Sequence, residues 1–122
     1  MISVGLSTRD YGGHVVAALH GQLDVTGTAD VIAMLTAAAA GNPRIVVDLA
    51  ALEYIDCHAL GALGRLRAQA RQAGGDVLLA ARHGLVRRLL GLTGLAGVFA
   101  VHTSVEEAVR AARGSPVPVT AG

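Results

Sequence analysis

Apolar and polar residues alternate from residue 2 to residue 8, which is the pattern of a half-buried β-strand. The triplet Tyr11-Gly12-Gly13 interrupts this pattern, and glycine suits a turn because it tolerates positive φ. Residues 14–21, HVVAALHG, predict a second strand. Because the connection is so short, the two strands should form an antiparallel hairpin.

From residue 26 onward, stretches with helical spacing alternate with short β-branched runs. The runs predict strands at residues 43–50, 76–80 and 97–101. The helices are predicted at 26–41, between a turn at 56–58 and the AGG at 73–75, at 83–95 and at 104–114. Residues expected on their inward faces are Val31, Met34, Leu35, Ala38, Leu60, Leu63, Leu66, Ala70, Val86, Leu89 and Leu90. The last helix opens with Ser104 and Glu107, the spacing of a capping box.

The resulting element order is β-β-α-β-α-β-α-β-α. Strands that alternate with helices predict an α/β fold with a largely parallel sheet. The chain has 122 residues and 52% hydrophobic content, enough for one domain with its own core. We expect this domain to cover residues 1–113, with a flexible tail at 114–122 that contains two prolines.

The net charge bears on nucleic-acid binding, and the lengths of the apolar runs bear on membrane insertion and secretion. A net charge of +1 does not favour nucleic-acid binding, which usually requires a strong basic surplus. No apolar run is long enough to cross a bilayer, and the N-terminus lacks the pattern of a secretory signal. We therefore expect a cytoplasmic protein without direct membrane insertion.

Cys57 and His58 lie side by side at the start of the second helix and are candidates for a catalytic or metal site. Neighbours on a helix point about 100° apart, so His58 is poorly placed to act as a base for Cys57. The remaining histidines are scattered, without an HxxxH or CxxC pair, and fit ordinary surface or strand-end positions: His14, His20, His83 and His102. We expect no enzymatic activity, no metal and no cofactor.

Two further features of the chain allow more than one interpretation. The segment GALG at 61–64 has no lysine after it, so it does not fit a phosphate-binding loop, and its glycines are expected to allow close helix packing. Asp24 and Asp56 each precede a predicted helix start. They are equally well explained as helix caps or as contacts to a partner.

Three stretches, in order along the chain, carry more specific motifs. Residues 18–31, ALHGQLDVTGTADV, are similar to a strand-end motif G-E-L-D, with Asp24 at the acid. Residues 44–63, RIVVDLAALEYIDCHALGAL, are similar to a block in which D-S-S/T-G-L-G opens a helix. Residues 85–109 are similar to a third block, which consists of a helix, a Thr-Gly-Leu turn and the last strand. Together they resemble the STAS domain family of bacterial anti-sigma-factor antagonists.

The resemblance implies a small mixed β-sheet with helices packed mainly on one face. In that family, a kinase phosphorylates the second hydroxyl residue of the D-S-S/T-G-L-G motif. His58 occupies this phosphoacceptor position, and Cys57 replaces the first hydroxyl residue. The other motif positions hold Asp56, Ala59 in place of the first glycine, Leu60 and Gly61. Neither Cys57 nor His58 can form the usual phosphoester, so the usual switch should be absent.

The resemblance also implies a function by protein contact, namely binding a serine-kinase-type anti-sigma factor and so freeing a sigma factor. The implied partner surface consists of Asp24, Thr26, Asp56, Cys57, His58 and Leu60. Thr26 and Thr28 lie near this surface and leave phosphorylation elsewhere open. The alternative is a STAS regulatory subunit of a membrane transport complex, such as a lipid-trafficking ABC system.

Overall fold

The computed structural model describes residues 4–82, 84–95 and 97–114. Its elements follow the predicted order. The strands are β1 (Val4–Tyr11), β2 (His14–Leu23), β3 (Arg44–Ile55), β4 (Asp76–Ala80) and β5 (Val101–His102). The helices are α1 (Val25–Gly41), α2 (Cys57–Gln72), α3 (Leu85–Thr93) and α4 (Val105–Gly114).

The five strands form one mixed sheet in the order β1-β2-β3-β4-β5. β1 pairs antiparallel with β2, which confirms the hairpin, and the remaining neighbours pair in parallel. The hairpin turn has φ of 60° at Gly12 and 84° at Gly13. Positive φ at both central residues is the geometry of a tight hairpin turn, and glycine adopts it without steric cost.

Three helices lie on one face of the sheet and one lies on the other. Each parallel crossover moves to the next strand in the same direction, so crossovers of the same hand place α1, α2 and α3 on one face. Their inward residues and one side of the sheet form the main core cluster. α4 follows the last strand and packs on the opposite face, where a smaller cluster contains Val16, Val46, Leu78, Ala80, Val105, Ala108 and Val109. The expected arrangement of helices mainly on one face is therefore confirmed.

Two of the strands, β3 and β5, differ in length from the prediction. β3 continues to Ile55 instead of ending near residue 50, because two register irregularities let it stay paired with β2. β5 has only two residues, since Val98 donates its amide to the Leu95 carbonyl at 2.9 Å and is still in a turn. Phe99 is nevertheless buried. The apolar run at 97–101 therefore marks burial and not strand conformation.

Several predicted helix contacts also need correction. Met34 is 53% exposed and does not belong to the inward face of α1. A Cβ at Gly64 would meet nothing within 4 Å, and one at Gly61 would meet only the Arg65 side chain at 3.9 Å. These glycines therefore do not serve close helix packing. In contrast, the predicted inward residues of α2 are all buried: Leu60, Leu63, Leu66 and Ala70.

The α4 start keeps only half of the predicted capping box. The Glu107 amide donates to Ser104 Oγ at 3.0 Å, as expected. The Glu107 carboxylate, however, accepts from the Thr103 amide at 3.1 Å and the Thr103 hydroxyl at 2.9 Å. These bonds, with the Thr103 amide first, lower the pKa of Glu107 below its ordinary value of 4.5.

Residues 115–122 of the expected tail lie outside the described residues, so the boundaries of the domain stay a prediction. None of the helices within the described ranges is long and apolar enough to cross a membrane.

Candidate functional site

The carboxyl ends of β2 and β3 bring two helix starts together. Leu23 pairs with Ile55 in the parallel register, and the Asp56 amide donates to the Leu23 carbonyl at 3.3 Å. Neighbouring strands lie about 4.8 Å apart, so Asp24 and Asp56, which directly follow them, are adjacent. The first turns of α1 and α2 therefore form one continuous surface.

Asp24 caps α1 from an extended backbone conformation, with φ −124° and ψ −172°. One carboxylate oxygen accepts from the Thr26 amide at 3.0 Å and from the Thr26 hydroxyl at 2.5 Å. The hydroxyl bond and then the amide bond favour the ionised carboxylate and lower the pKa of Asp24 below its ordinary value of 3.8. This end of the surface therefore carries a fixed negative charge at neutral pH.

The two threonines near Asp24 differ in accessibility. Thr26 is exposed, and its hydroxyl donates to Asp24. Thr28 is only 2% exposed, and its hydroxyl donates to the Asp24 carbonyl at 2.6 Å. A kinase could thus reach Thr26 in the folded protein, whereas Thr28 is part of the packed helix start.

Asp56 caps α2 in the same way, with φ −104° and ψ 173°. Its carboxylate accepts from the Ala59 amide at 2.8 Å, and its carbonyl accepts from the Leu60 amide at 3.2 Å. The first bond satisfies an amide that the helix itself leaves without a partner, and the second is the first regular bond of the helix. Both aspartates are therefore caps, and their side chains also lie at the shared surface.

Cys57 and His58 are the first two residues of α2, and both are exposed. The Cys57 thiol is free. Over the described part of the chain, the structure contains no hydrogen bond between these side chains, and it holds no cluster of three or more potential metal-ligating residues of the His, Cys, Asp and Glu types. The two side chains thus lie at the protein surface and are not hydrogen-bonded to each other.

Leu60 does not belong to this surface, which corrects the expected set of contact residues. Its side chain has 0% exposure and lies in the main core cluster. In the helical geometry of α2, residue 60 faces the sheet while residues 57 and 58 face outward. A partner that binds the folded protein can reach Asp24, Thr26, Cys57 and His58, but not Leu60.

Two exposed apolar side chains extend the surface and were not identified from the sequence. Val25, the first residue of α1, is 62% exposed, and Tyr54, near the end of β3, is 47% exposed. Val25 directly follows the cap, and Tyr54 is two residues before Asp56, so both lie at the same end of the sheet. No sequence pattern marks either residue, because exposed apolar side chains are common on protein surfaces.

Comparison with solved structures places this arrangement among related proteins. The chain is 26% identical to an anti-sigma factor antagonist from Mycobacterium paratuberculosis, with a TM-score of 0.82 over 91% of this chain and 95% of that chain. It is 20% identical to the unphosphorylated anti-sigma factor antagonist SpoIIAA, with a TM-score of 0.75 over 90% and 97% of the two chains. The phosphorylated form of SpoIIAA from Bacillus gives 19% identity and a TM-score of 0.67, covering 89% of this chain and all of that one.

The same fold also occurs inside a larger protein. The murine anion transporter Solute Carrier 26 family member A9 matches with 16% identity and a TM-score of 0.67, covering 86% of this chain but 18% of the transporter. No curated protein matches the chain in sequence. The model of the STAS domain family matches residues 6–108, which contain every element except the end of α4 and the first residues of β1. The chain therefore belongs to the STAS domain family.

Proposed function

We propose that the protein is a cytoplasmic anti-sigma-factor antagonist that binds a serine-kinase-type anti-sigma factor and so frees a sigma factor. The observation that supports this most is the pair of capped helix starts, held together at the ends of β2 and β3. This surface lies within a chain that matches the Mycobacterium paratuberculosis antagonist over nearly its whole length. It offers charge at Asp24 and exposed apolar area at Val25 and Tyr54.

In the proposed function, the protein acts by binding a partner protein and not by catalysis. The exposed Cys57 and His58 have no hydrogen-bonded partner within the described residues that could act as a base or an orienting acid. A surface with two aspartate side chains and scattered apolar groups is suited to protein recognition, in which a few buried anchors provide most of the affinity. Val25, which is exposed and adjacent to the charged cap, is the expected apolar anchor.

The proposed regulation differs from that of SpoIIAA, which is known in unphosphorylated and phosphorylated forms. His58 occupies the phosphoacceptor position of the family motif and has no hydroxyl group. Without a phosphoester there is no added charge of about −2 to disrupt the partner contact. We expect binding to be constitutive and controlled by the amount of protein.

The test is capture of the partner from native cells with matched variants of the tagged protein. Val25→Glu introduces a charge at the proposed surface, and Leu92→Glu introduces the same charge at a 76% exposed leucine on α3. The wild type and Leu92→Glu should capture a serine-kinase-type anti-sigma factor, identified by mass spectrometry, whereas Val25→Glu should not. Addition of the purified wild type should release the sigma factor from that partner.

One observation favours a second candidate function: the same fold occurs inside an anion transporter. In this alternative, the protein is a regulatory subunit of a membrane transport complex such as a lipid-trafficking ABC system. The same capture experiment separates the two functions. Recovery of an ABC permease in place of an anti-sigma factor would contradict the proposed function and support the alternative.

A further inference from the structure

A cleft of about 1110 Å³ lies at the end of the sheet opposite to the proposed partner surface. The ten residues of β2 separate the two places by about 30 Å. The Gly12–Gly13 turn, the Gly74–Gly75 turn and the last turn of α4 line this cleft. The cleft borders the patch of the sheet that α4 covers, which includes Val16, Val46 and Leu78.

His14 is the buried polar group of this cleft. The residue is 7% exposed, and Nδ1 lies 3.3 Å from the Gly12 carbonyl oxygen. A carbonyl only accepts, so Nδ1 carries the hydrogen of that bond. The second ring nitrogen has no partner within the residues that the structure describes. His14 is nearly buried and lines the cleft, so a ligand in the cleft would supply a hydrogen-bond partner for this nitrogen.

The charges around the cleft favour an anion. Arg44 and Arg113 line it, and over residues 4–82, 84–95 and 97–114 neither guanidinium has an acidic partner. The lining acid, Asp76, is already held by Arg67 at 3.1 Å and by Arg71 at 3.2 Å.

The last turn of α4 opposes this preference, because a helix C-terminus carries a partial charge of about −0.5. Two full positive charges exceed that partial charge, and Arg113 lies on the same turn. The two arginine charges therefore outweigh the helix terminus, with the lining histidines His14 and His102 counted as neutral. A further acid, Glu107, lies 3.5 Å from His102, and its carboxylate already accepts two bonds from Thr103.

We propose that this cleft binds a small organic anion that carries a phosphate or carboxylate group. Arg44 and Arg113 pair with the oxyanion, and the apolar part of the ligand lies against Leu78, Ala100 and Ala112. The free nitrogen of His14 accepts from an acidic O–H of the ligand or, when the ring is protonated, donates to its oxyanion. This site is independent of the partner surface and of the proposed function.

The test is a titration of the full ¹⁵N-labelled chain followed by NMR, with phenyl phosphate, benzoate and sodium chloride at matched ionic strength. We expect saturable shifts of the Gly12, Gly13 and Gly75 amides and of the His14 ring with at least one organic anion, and none with chloride. Tighter binding of phenyl phosphate identifies a phosphate ester as the ligand class, and tighter binding of benzoate identifies a carboxylate.

Charge-matched variants test the assignment of the residues. Arg44→Gln and Arg113→Gln should each weaken binding about tenfold, since each removes a charge-assisted hydrogen bond. Arg65→Gln removes the same charge from an exposed position on α2 and should leave the affinity unchanged. The proposal is overturned if all three variants bind the organic anion with equal affinity. It is also overturned if the shifts with the organic anions match those with chloride, or if they are confined to the first turns of α1 and α2. All three arginines are exposed, so the variants are expected to fold.

Discussion

Asp24 and Asp56 cap adjacent helices, but their carboxylates have different partners. Asp24 accepts two bonds from Thr26, one of them from the side chain, while Asp56 accepts from the Ala59 amide. The Thr26 hydroxyl is therefore tied to Asp24, and a change at either residue affects the other. At Asp56 the contribution to helix stability can be measured without such coupling.

Asp56→Ala should lower the free energy of unfolding by about 1 kcal/mol, because the Ala59 amide loses its partner at the helix start. The measurement is urea denaturation followed by circular dichroism. Asp30→Ala is the matched control, since Asp30 is an exposed acid inside α1 and caps no helix. An equal loss in both variants would show that charge and not capping determines the effect.

The lowered pKa of Glu107 predicts how stability depends on pH. A carboxyl group whose pKa is lower in the folded state stabilises the fold above its unfolded pKa, and this contribution is lost as pH falls through the folded pKa. The stability advantage of the wild type over Glu107→Gln should therefore be full at pH 6 and shrink as pH falls below the ordinary value of 4.5. Thermal denaturation of both proteins from pH 6 to pH 3 measures it. If the stability difference between the two proteins stays constant from pH 6 to pH 3, the bonds from Thr103 to the Glu107 carboxylate are not its source.

At the scale of elements, α2 contains two glycines that nothing in the folded chain requires. A Cβ at Gly64 would enter open space, and one at Gly61 would make only an ordinary contact with the Arg65 side chain. Glycine inside a helix is less favourable than alanine by about 0.5–1 kcal/mol. Gly61→Ala and Gly64→Ala should each raise the free energy of unfolding by about this amount, measured by urea denaturation. Gly75→Ala is the contrasting variant and should destabilise, because its Cβ would overlap the Pro43 carbonyl. If neither Gly61→Ala nor Gly64→Ala raises the free energy of unfolding, the explanation that alanine fits at these positions is wrong.

The elements that the sequence predicted well are those with a long periodic pattern. The inward face of α2 spans four turns, and each of its predicted residues is buried. The last strand exists, but its predicted bounds of 97–101 were wrong, because an apolar run reports burial, while the turn at Val98 depends on its bond to Leu95. His14 was taken as an ordinary strand-end histidine, although alternation with the buried Val16 could have indicated the buried face.

The candidate site could be predicted only in part, because a motif aligns positions and not side-chain directions. The match to the family motif identified the turn at Asp56, Cys57 and His58 correctly as an exposed helix start. It also included Leu60, which the helical geometry turns into the core. Val25 and Tyr54 were missed because an exposed apolar residue is common and has no sequence pattern of its own.

At the scale of the whole molecule, the sheet separates two regions that could serve different ligands. The helix starts of α1 and α2 lie at the carboxyl ends of β2 and β3, and the cleft lies at the amino ends of β3 and β4. A partner at one end leaves the other accessible. Variants at Arg44 or Arg113 should therefore not change capture of the anti-sigma factor, which makes them suitable controls for the experiments on the partner surface.

Regulation of the whole molecule depends on whether phosphate can be added at the partner surface. His58→Ser places a hydroxyl at an exposed position next to free amides at a helix start, where a phosphate is electrostatically favoured. We expect the captured kinase and ATP to phosphorylate this variant at position 58 and so release it, while the wild type stays bound and unmodified. Phosphate is assigned to its site by mass spectrometry, and binding is followed in the same samples.

Thr26 provides the decisive control for this prediction, because it is the exposed hydroxyl residue on the same surface. Its hydroxyl is bonded to the ionised Asp24, so a phosphate there would meet a like charge at close range. Thr26→Val should therefore leave the phosphorylation of both proteins unchanged. If the wild type is instead phosphorylated at Thr26 and then released, binding is not constitutive. If the His58→Ser variant binds the kinase but its introduced serine takes no phosphate, the match of His58 to the phosphoacceptor position is wrong.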